Sequence, residues 1–400
     1  MKITGVRTQP YSFELTRPIA DANLPQGGSI SRSLAVFIET DDGVTGISPG
    51  ALAAQPHIHD LVNSLLVGQD PRGVRGLWQK MVDAVFKGSN RGLLNDAIAA
   101  IDVALWDLKA KANGEPLWKT LGASSNTVRA YASGIDSNLS DDELRQFYTR
   151  MAGQGVCAGK LKVGLDMEAD LRRLGIVRDA LATSGKRPLL MIDSNEYWSP
   201  KQAIRHILEF ERSFELVWAE EPARRWDFRG LRKVSQSVNA AVATGENLDD
   251  ISEFMPLIQH EAVDIVQFNH GCCGITGALM VGDMAHGFDL PVAMMNCPAN
   301  FMAHVAAVLP NHMMMEVVDA GMDAAMRHHN RVEDGWIVLT DRPGLGIEFD
   351  EAELEALSRY QSAPGARGLA WGRRRGAGLV EVGPGEEAVL AQRNSDIPSA

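Results

Sequence analysis

Asp193, Glu220 and Glu246 each stand just past a short apolar run, in the segments LLMIDSN, LVWAEEP and AVATGEN. Carboxylates are hard oxygen donors, and three that converge suit a magnesium ion. Upstream, GKLKVG sets Lys160 and Lys162 two residues apart, and residues at i and i+2 of a strand share a face. Ammonium groups beside carboxylates could hold a cation and move a proton. Taken singly, a strand-end acid more often caps a helix, and two lysines more often mark a solvated strand face. The joint pattern favours a site.

Such a site needs elements that aim every strand end at one centre. In a (β/α)8 barrel the parallel strands all end at one face. From Val128 onward, short apolar runs alternate with amphipathic helical stretches, as in parallel βαβ units. Eight runs are expected as strands: Val128 to Tyr131, Lys160 to Val163, Leu189 to Ile192, Leu216 to Ala219, Ala240 to Thr244, Ile265 to Phe268, Val292 to Met295 and Met313 to Val317. Eight strands close a barrel. The first part of the chain lacks this alternation. Ile3 to Leu15 and Ser33 to Glu39 are strand-like, and the second ends at a DDG turn, as in an antiparallel ribbon. Between them Thr16 to Arg32 is polar and contains Gly and Pro. Ile98, Ile101, Leu105 and Leu108 recur at helical spacing within Asn95 to Ala112, and Asn113, Gly114 and Pro116 end that helix. After Trp336, GWIVLTDRPGLGIEFD is expected as another ribbon, followed by a tail rich in Gly and Arg.

Composition bounds the reading. A chain of 400 residues exceeds the usual single core, which suits a barrel of roughly 250 residues plus a second domain. No apolar stretch approaches the ~20 residues of a spanning helix, and MKITGVRTQP lacks the apolar core of a signal peptide. A soluble, cytoplasmic protein is expected. Cys157, Cys272, Cys273 and Cys297 are too few and irregular for a disulfide framework. The formal charge of −12 argues against nucleic acid as a partner.

The ordered set AIDVALWDLKAKANGEPLWKTLG (Ala100 to Gly122), KLK, DSN, EEP, GEN and PGLGIEFDEAEL (Pro343 to Leu354) resembles the mandelate racemase-like branch of the enolase superfamily, over about residues 1 to 360. The resemblance implies an α/β fold, a modified TIM barrel over about residues 126–336. A capping domain, residues 1–125, would be completed by about 337–400. It also implies that 16–32 is a mobile loop over the pocket. The activity implied is removal of the proton next to a carboxylate, with Mg2+ held by Asp193, Glu220 and Glu246 taking up enediolate charge. A Lys or His base working beside magnesium is the established pattern of that superfamily. By motif position Lys162 is the candidate base and Lys160 the partner of a substrate carboxylate oxygen. Burial and neighbouring positive charge would pull the Lys162 pKa toward neutrality. Glu316, in MMMEVVD, matches the family's acid on the other carboxylate oxygen, a role that requires it protonated. Asn195, Asn269 and Asn296 are the substrate-binding candidates.

One part departs from the family. Relatives often carry an Asp after the sixth strand that orients a His after the seventh, but here those segments read QFNHGCCGIT and VAMMNCPAN. The dyad is missing, and His270 is the candidate to replace part of it. Two-base racemisation needs a proton donor on each face, whereas loss of water can run with one base. Dehydration of a sugar acid or related hydroxy acid is therefore expected. The alternatives are a racemase, epimerase or cycloisomerase of the same superfamily, or a homologue that binds metal and carboxylate without turnover. Met294, Met295, Met313 and Met315 are expected at the pocket-facing ends, an apolar lining that suits a less hydroxylated acid. The partner is a small carboxylate, and homo-oligomers are the family tendency.

Overall fold

The computed structural model describes residues 1–272 and 274–360. Cys273 and the Gly- and Arg-rich tail after about residue 363 lie outside the described residues.

The chain opens with a three-stranded antiparallel sheet, β1 (Ile3–Ile19), β2 (Gly28–Thr40) and β3 (Thr45–Gly50). Gly43, at φ 83°, allows the tight turn from β2 to β3. One face of this sheet is covered by α3 (Leu93–Asn113), against which α1 (Gln55–Leu61), α2 (Val74–Ala84) and the single turn α4 (Leu117–Thr120) pack. Helix α3 is buried on most sides because it lies between the sheet and the barrel. It ends at Gly114, whose left-handed φ of 67° lets the carbonyls of the last turn find donors.

Eight parallel strands follow: β4 (Thr127–Ser133), β5 (Ala158–Lys162), β6 (Leu189–Asp193), β7 (Leu216–Glu220), β8 (Ala241–Thr244), β9 (Ile265–Phe268), β10 (Val292–Met294) and β11 (His312–Val317). Pairing of Met315 with Ala130, Glu316 with Tyr131 and Val317 with Ala132 joins the last strand to the first and closes the barrel. Around it lie α5 (Asp141–Gly153), α6 (Met167–Ala182), α7 (Pro200–Glu211), α8 (Phe228–Ser235), α9 (Ile251–Gln259), α10 (Gly274–Gly287) and the short α11 (Ala303–Ala306). The interior is filled by one buried side chain from each strand: Tyr131, Ala158, Met191, Trp218, Ala243, Ile265, Ala293 and Met314. Tyr131 and Trp218 meet edge to face, ring centroids 5.3 Å apart, a favoured aromatic geometry. Two residues further along β4, β5, β6, β7, β9 and β11, the period of the strand points Ser133, Lys160, Asp193, Glu220, Gln267 and Glu316 into the mouth.

Four expectations need correction. The 16–32 stretch is not all loop, because β1 continues to Ile19 and β2 begins at Gly28. Pro18 is tolerated there because the end of this ladder is irregular, with a register shift between Glu14 and Ile19. The segment after Trp336 is not a ribbon paired on itself. Its first strand, β14 (Trp336–Val338), lies between β13 (Arg331–Glu333) and the start of β4, whereas β15 (Ile347–Phe349) pairs with β12 (Met326–His328). Met294 and Met315 do not line the pocket. They sit at the opposite parity to Ala293 and Met314 and pack in the layer between strands and helices. Finally, β10 stops at Met294, one residue short of its expected end. Helix α12 (Glu351–Ser358) returns the chain to β1.

Candidate active site

Lys160 and Lys162 project from the end of β5, and both are buried. The Lys160 ammonium lies 2.5 Å from Glu220 Oε1, 3.0 Å from Glu316 Oε1 and 3.4 Å from Asp193 Oδ2. The Lys162 ammonium lies 2.5 Å from Asp193 Oδ2. Asp193 and Glu220 are the last residues of adjacent strands and pair in register. Glu246 follows Gly245, whose φ of 127° re-aims the chain after β8. Left-handed backbone at Asn195, Glu196 and Glu221 marks the same rim, where strain concentrates at functional sites.

Side chains that no motif announced hold these acids. Trp218 Nε1 and Gln267 Nε2 both donate to Glu220 Oε2, at 3.0 and 2.7 Å. Asn296 donates to Glu316 Oε2 through its amide nitrogen at 2.5 Å and its backbone N–H at 3.2 Å. Of the three asparagine candidates, Asn296 is thus a holder of Glu316, and Asn269 is engaged with the Glu246 carbonyl and the Gly271 N–H. Asn195 donates its backbone N–H to Asp193 Oδ1 at 2.8 Å, while its side-chain oxygen has no hydrogen-bond partner among the described residues. A tandem of tryptophan and acid two apart on a strand could have flagged Trp218, since both share the inward face.

Electrostatics govern the rest. Burial opposes charge on Asp193, yet Lys162 and Lys160 hold its carboxyl at about 2. Glu316 behaves alike, brought to about 2 by the same two ammonium groups against its burial. The two ammonium groups thus favour the charged form of Glu316, and the protonated form that the family role requires calls for a competing anion beside Lys160. Burial, aided by Asp193 and Glu246, pushes Glu220 up to about 8 despite Lys160. Glu221 and Glu246 are also raised, first by burial and then by neighbouring carboxylates. Lys162 is raised rather than drawn toward neutrality, because Asp193 and the other acids outweigh burial and the Lys160 charge. Asp193, Glu220 and Glu316 thus share the two ammonium groups, whose charge also reaches Glu246. Glu196, by contrast, is matched by Arg224 and Arg225. Among the described residues no three acid, imidazole or thiol groups stand so that they could hold a metal ion as placed, and Lys160 and Lys162 occupy oxygens of Asp193 and Glu220. The donor set nevertheless fits a divalent cation. Asp193 and Glu220 end adjacent strands and Glu246 lies two residues past β8, and the rise that burial and neighbouring carboxylates force on Glu220 and Glu246 is what a hard cation beside these hard oxygens would relieve.

His270 does not rebuild the missing dyad. Its ring packs on Phe301, centroids 5.5 Å apart, and among the described residues Nδ1 has no hydrogen-bond partner and no carboxylate pairs with the ring. Burial alone lowers its pKa to about 4. Cys157 and Cys297 are free thiols, and burial raises Cys297 to about 12.

The chain from residue 143 to 353 matches the family model described as enolase C-terminal domain-like, and residues 25–122 match the N-terminal domain of mandelate racemase / muconate lactonizing enzyme. The chain belongs to this family of the enolase superfamily. Its relatives include the 3,6-anhydro-alpha-L-galactonate cycloisomerase of Streptomyces coelicolor, 29% identical over 89% of this chain and 99% of that protein. The L-talarate/galactarate dehydratase of Salmonella typhimurium is 30% identical over 88% of this chain and 89% of its own. Among solved enolase-superfamily structures, a racemase from Streptomyces coelicolor A3(2) with bound magnesium superposes with a TM-score of 0.82 at 28% identity, covering 89% of this chain and 99% of that one.

Proposed function

We propose that this protein is a magnesium-dependent enzyme that removes the proton α to the carboxylate of a sugar acid or related hydroxy acid and expels a β-hydroxyl as water. The observation that carries the reading is the pair of buried ammonium groups on one strand, set against acids from three other strands. Asp193, Glu220 and Glu246 would hold the ion, which supplies electrostatic stabilisation of the charge that develops on the substrate carboxylate. Lys162 takes the α-proton at Nζ as the free amine, a form reached when Asp193 no longer pairs with it and the ammonium proton has gone to solvent. Lys160 donates to one carboxylate oxygen. Glu316, fixed by Asn296, faces the other and takes up a proton as the added anion competes for the Lys160 charge. Lys162 then returns its proton to the departing hydroxyl, so one base suffices.

Dehydration is favoured over two-base racemisation by the absence of an oriented histidine at His270. Cycloisomerisation is the second reading, supported by the anhydrogalactonate relative. The cap is read as residues 1–125 completed from about 337, with the barrel over 126–336. The packing of β15 and α12 against β1 supports that division. A cytoplasmic homo-oligomer is part of the same reading. It is consistent with the free thiols of Cys157 and Cys297 and with no helix among the described residues long and apolar enough to cross a membrane.

The test is proton NMR in D2O with magnesium against galactarate, talarate, galactonate and arabinonate, with Lys162→Ala as control. Exchange or turnover lost in the variant supports the reading. Exchange that survives moves the base elsewhere, and magnesium binding without exchange of any acid favours a non-catalytic binder.

A further inference from the structure

The strand that carries both lysines is held differently on its two sides. Toward β6 its ladder runs to the mouth, ending with Lys162 opposite Asp193. Toward β4 it stops at Ser133 opposite Lys160, because the chain leaves the sheet through Gly134 and Ile135, the latter at φ 44°. On that side the Lys160 carbonyl and the Lys162 N–H pass beyond their strand partner, and side chains take both places. The Tyr148 hydroxyl, from α5, lies 2.5 Å from the Lys160 carbonyl. Asp136 Oδ1 accepts the Lys162 N–H at 3.1 Å. The two substitutes touch each other, with Tyr148 Oη 2.9 Å from Asp136 Oδ2, and both are fully buried.

Asp136 is braced from two directions. Arg173 of α6 donates to the carbonyls of Asp136 and Leu139, each at 2.6 Å. From the cap, Ala20 at the end of the long hairpin bridges to Asp136. Its N–H reaches the Ile135 carbonyl at 2.7 Å, and its carbonyl accepts the Ser137 N–H at 3.1 Å. Asp136 therefore has the cap hairpin on one side and the lysine strand on the other.

We propose that Asp136 and Tyr148 are positioning residues that fix Lys160 and Lys162 at the mouth and transmit the seating of the cap hairpin to them. The proposal rests on the reading that these lysines carry the chemistry. Neither side chain reaches the substrate side of the strand; each acts through a backbone group of the residue it holds. Losing one support lets the strand end shift, and misplacement of about 1 Å costs on the order of a hundredfold in rate.

The experiment uses the full-length, magnesium-loaded protein and the Tyr148→Phe, Asp136→Asn and Asp136→Ala variants, checked for folding by circular dichroism. Exchange of the α-proton of galactonate and galactarate is measured together with crystal structures of the protein and its Tyr148→Phe form. The expected result for Tyr148→Phe is a kcat lower by about 10- to 100-fold with KM changed by less than about threefold, and a displaced Lys162 Nζ. Asp136→Asn, which still accepts the Lys162 N–H, should retain more kcat than Asp136→Ala. An unchanged kcat, or a loss confined to KM, overturns the proposal. If the unmutated protein exchanges neither acid, the functional reading loses support and the structures decide the positioning: an unmoved Lys162 Nζ then overturns it, and a displaced one sustains it.

Discussion

Glu220 is the most crowded of the candidate metal ligands. One oxygen takes the Lys160 ammonium and the other takes both Trp218 and Gln267. Groups behind a ligand set its orientation, and their loss typically costs about 10- to 100-fold in metal affinity. Gln267→Leu should weaken magnesium binding by that factor, read by isothermal titration, while leaving the fold intact. An unchanged affinity would mean that Gln267 only fills the barrel. Asp193, Glu220 and Glu246 were legible in the sequence because an acid closing an apolar run is a local pattern. Gln267 was not, because an amide inside a strand has no spacing signature. Asp136 and Tyr148 escaped for a different reason: what they hold lies on another strand, and their value appears only where β4 leaves the sheet. Met294 and Met315 were misplaced because a run of methionines carries no parity, and parity decides which of them face the interior.

At the scale of elements, the long motif on α3 turns out to be structural. Asp102 accepts the Thr276 N–H and hydroxyl at 2.8 and 2.6 Å, tying α3 to α10. Asp107 accepts the Ile47 N–H at 2.9 Å and the Leu345 N–H at 2.8 Å and pairs with Lys111 at 2.6 Å. One carboxylate thus joins the cap sheet, its central helix and the returning PGLG loop. Asp107→Ala should cost about 3–5 kcal/mol, since it strands two buried donors and a partly buried ammonium. Denaturant unfolding monitored by circular dichroism would measure it, and a cost under about 1 kcal/mol would refute the account. The eight barrel strands and α3 were readable from their periods. The length of the first hairpin was not, because Gly and Pro read as loop in isolation, whereas the pairing of Ile19 with Gly28 depends on the partner strand.

A second element-scale expectation concerns β12. His328 Nε2 lies 2.6 Å from Asp323 Oδ2, and Nδ1 lies 3.2 Å from the Asn330 carbonyl. That pairing raises the His328 pKa. A raised folded value means that the stabilisation is complete below the unfolded pKa of about 6.5 and fades as pH rises through the folded one. The pair is partly solvated, so the effect should stay below about 1 kcal/mol. His328→Gln should flatten the decline in Tm above neutral pH, and an unaltered decline would assign it to other groups.

At the scale of the whole molecule, magnesium bound among the crowded acids of the barrel mouth would stabilise the fold as well as serve the proposed reaction. An ion bound only by the folded state at a hundredfold excess over Kd adds about 2.7 kcal/mol. Chelation should lower Tm by several degrees and added magnesium should restore it. Glu220→Gln should abolish most of that increment. A magnesium-independent Tm in the unmutated protein would remove the cation from the site.

The return of α12 to the first strand also orders events in time. Arg7 meets Glu351 at 2.9 Å, and Phe349 packs against Tyr11 and Phe37. Strand β1 thus waits for β15 and α12 before this part of its packing is complete. Contacts of such sequence separation form late and leave early surfaces exposed. A ribosome stalled before residue 347 would hold a nearly complete barrel beneath an unfinished cap, and that nascent chain is the form for which aggregation competes most directly with folding.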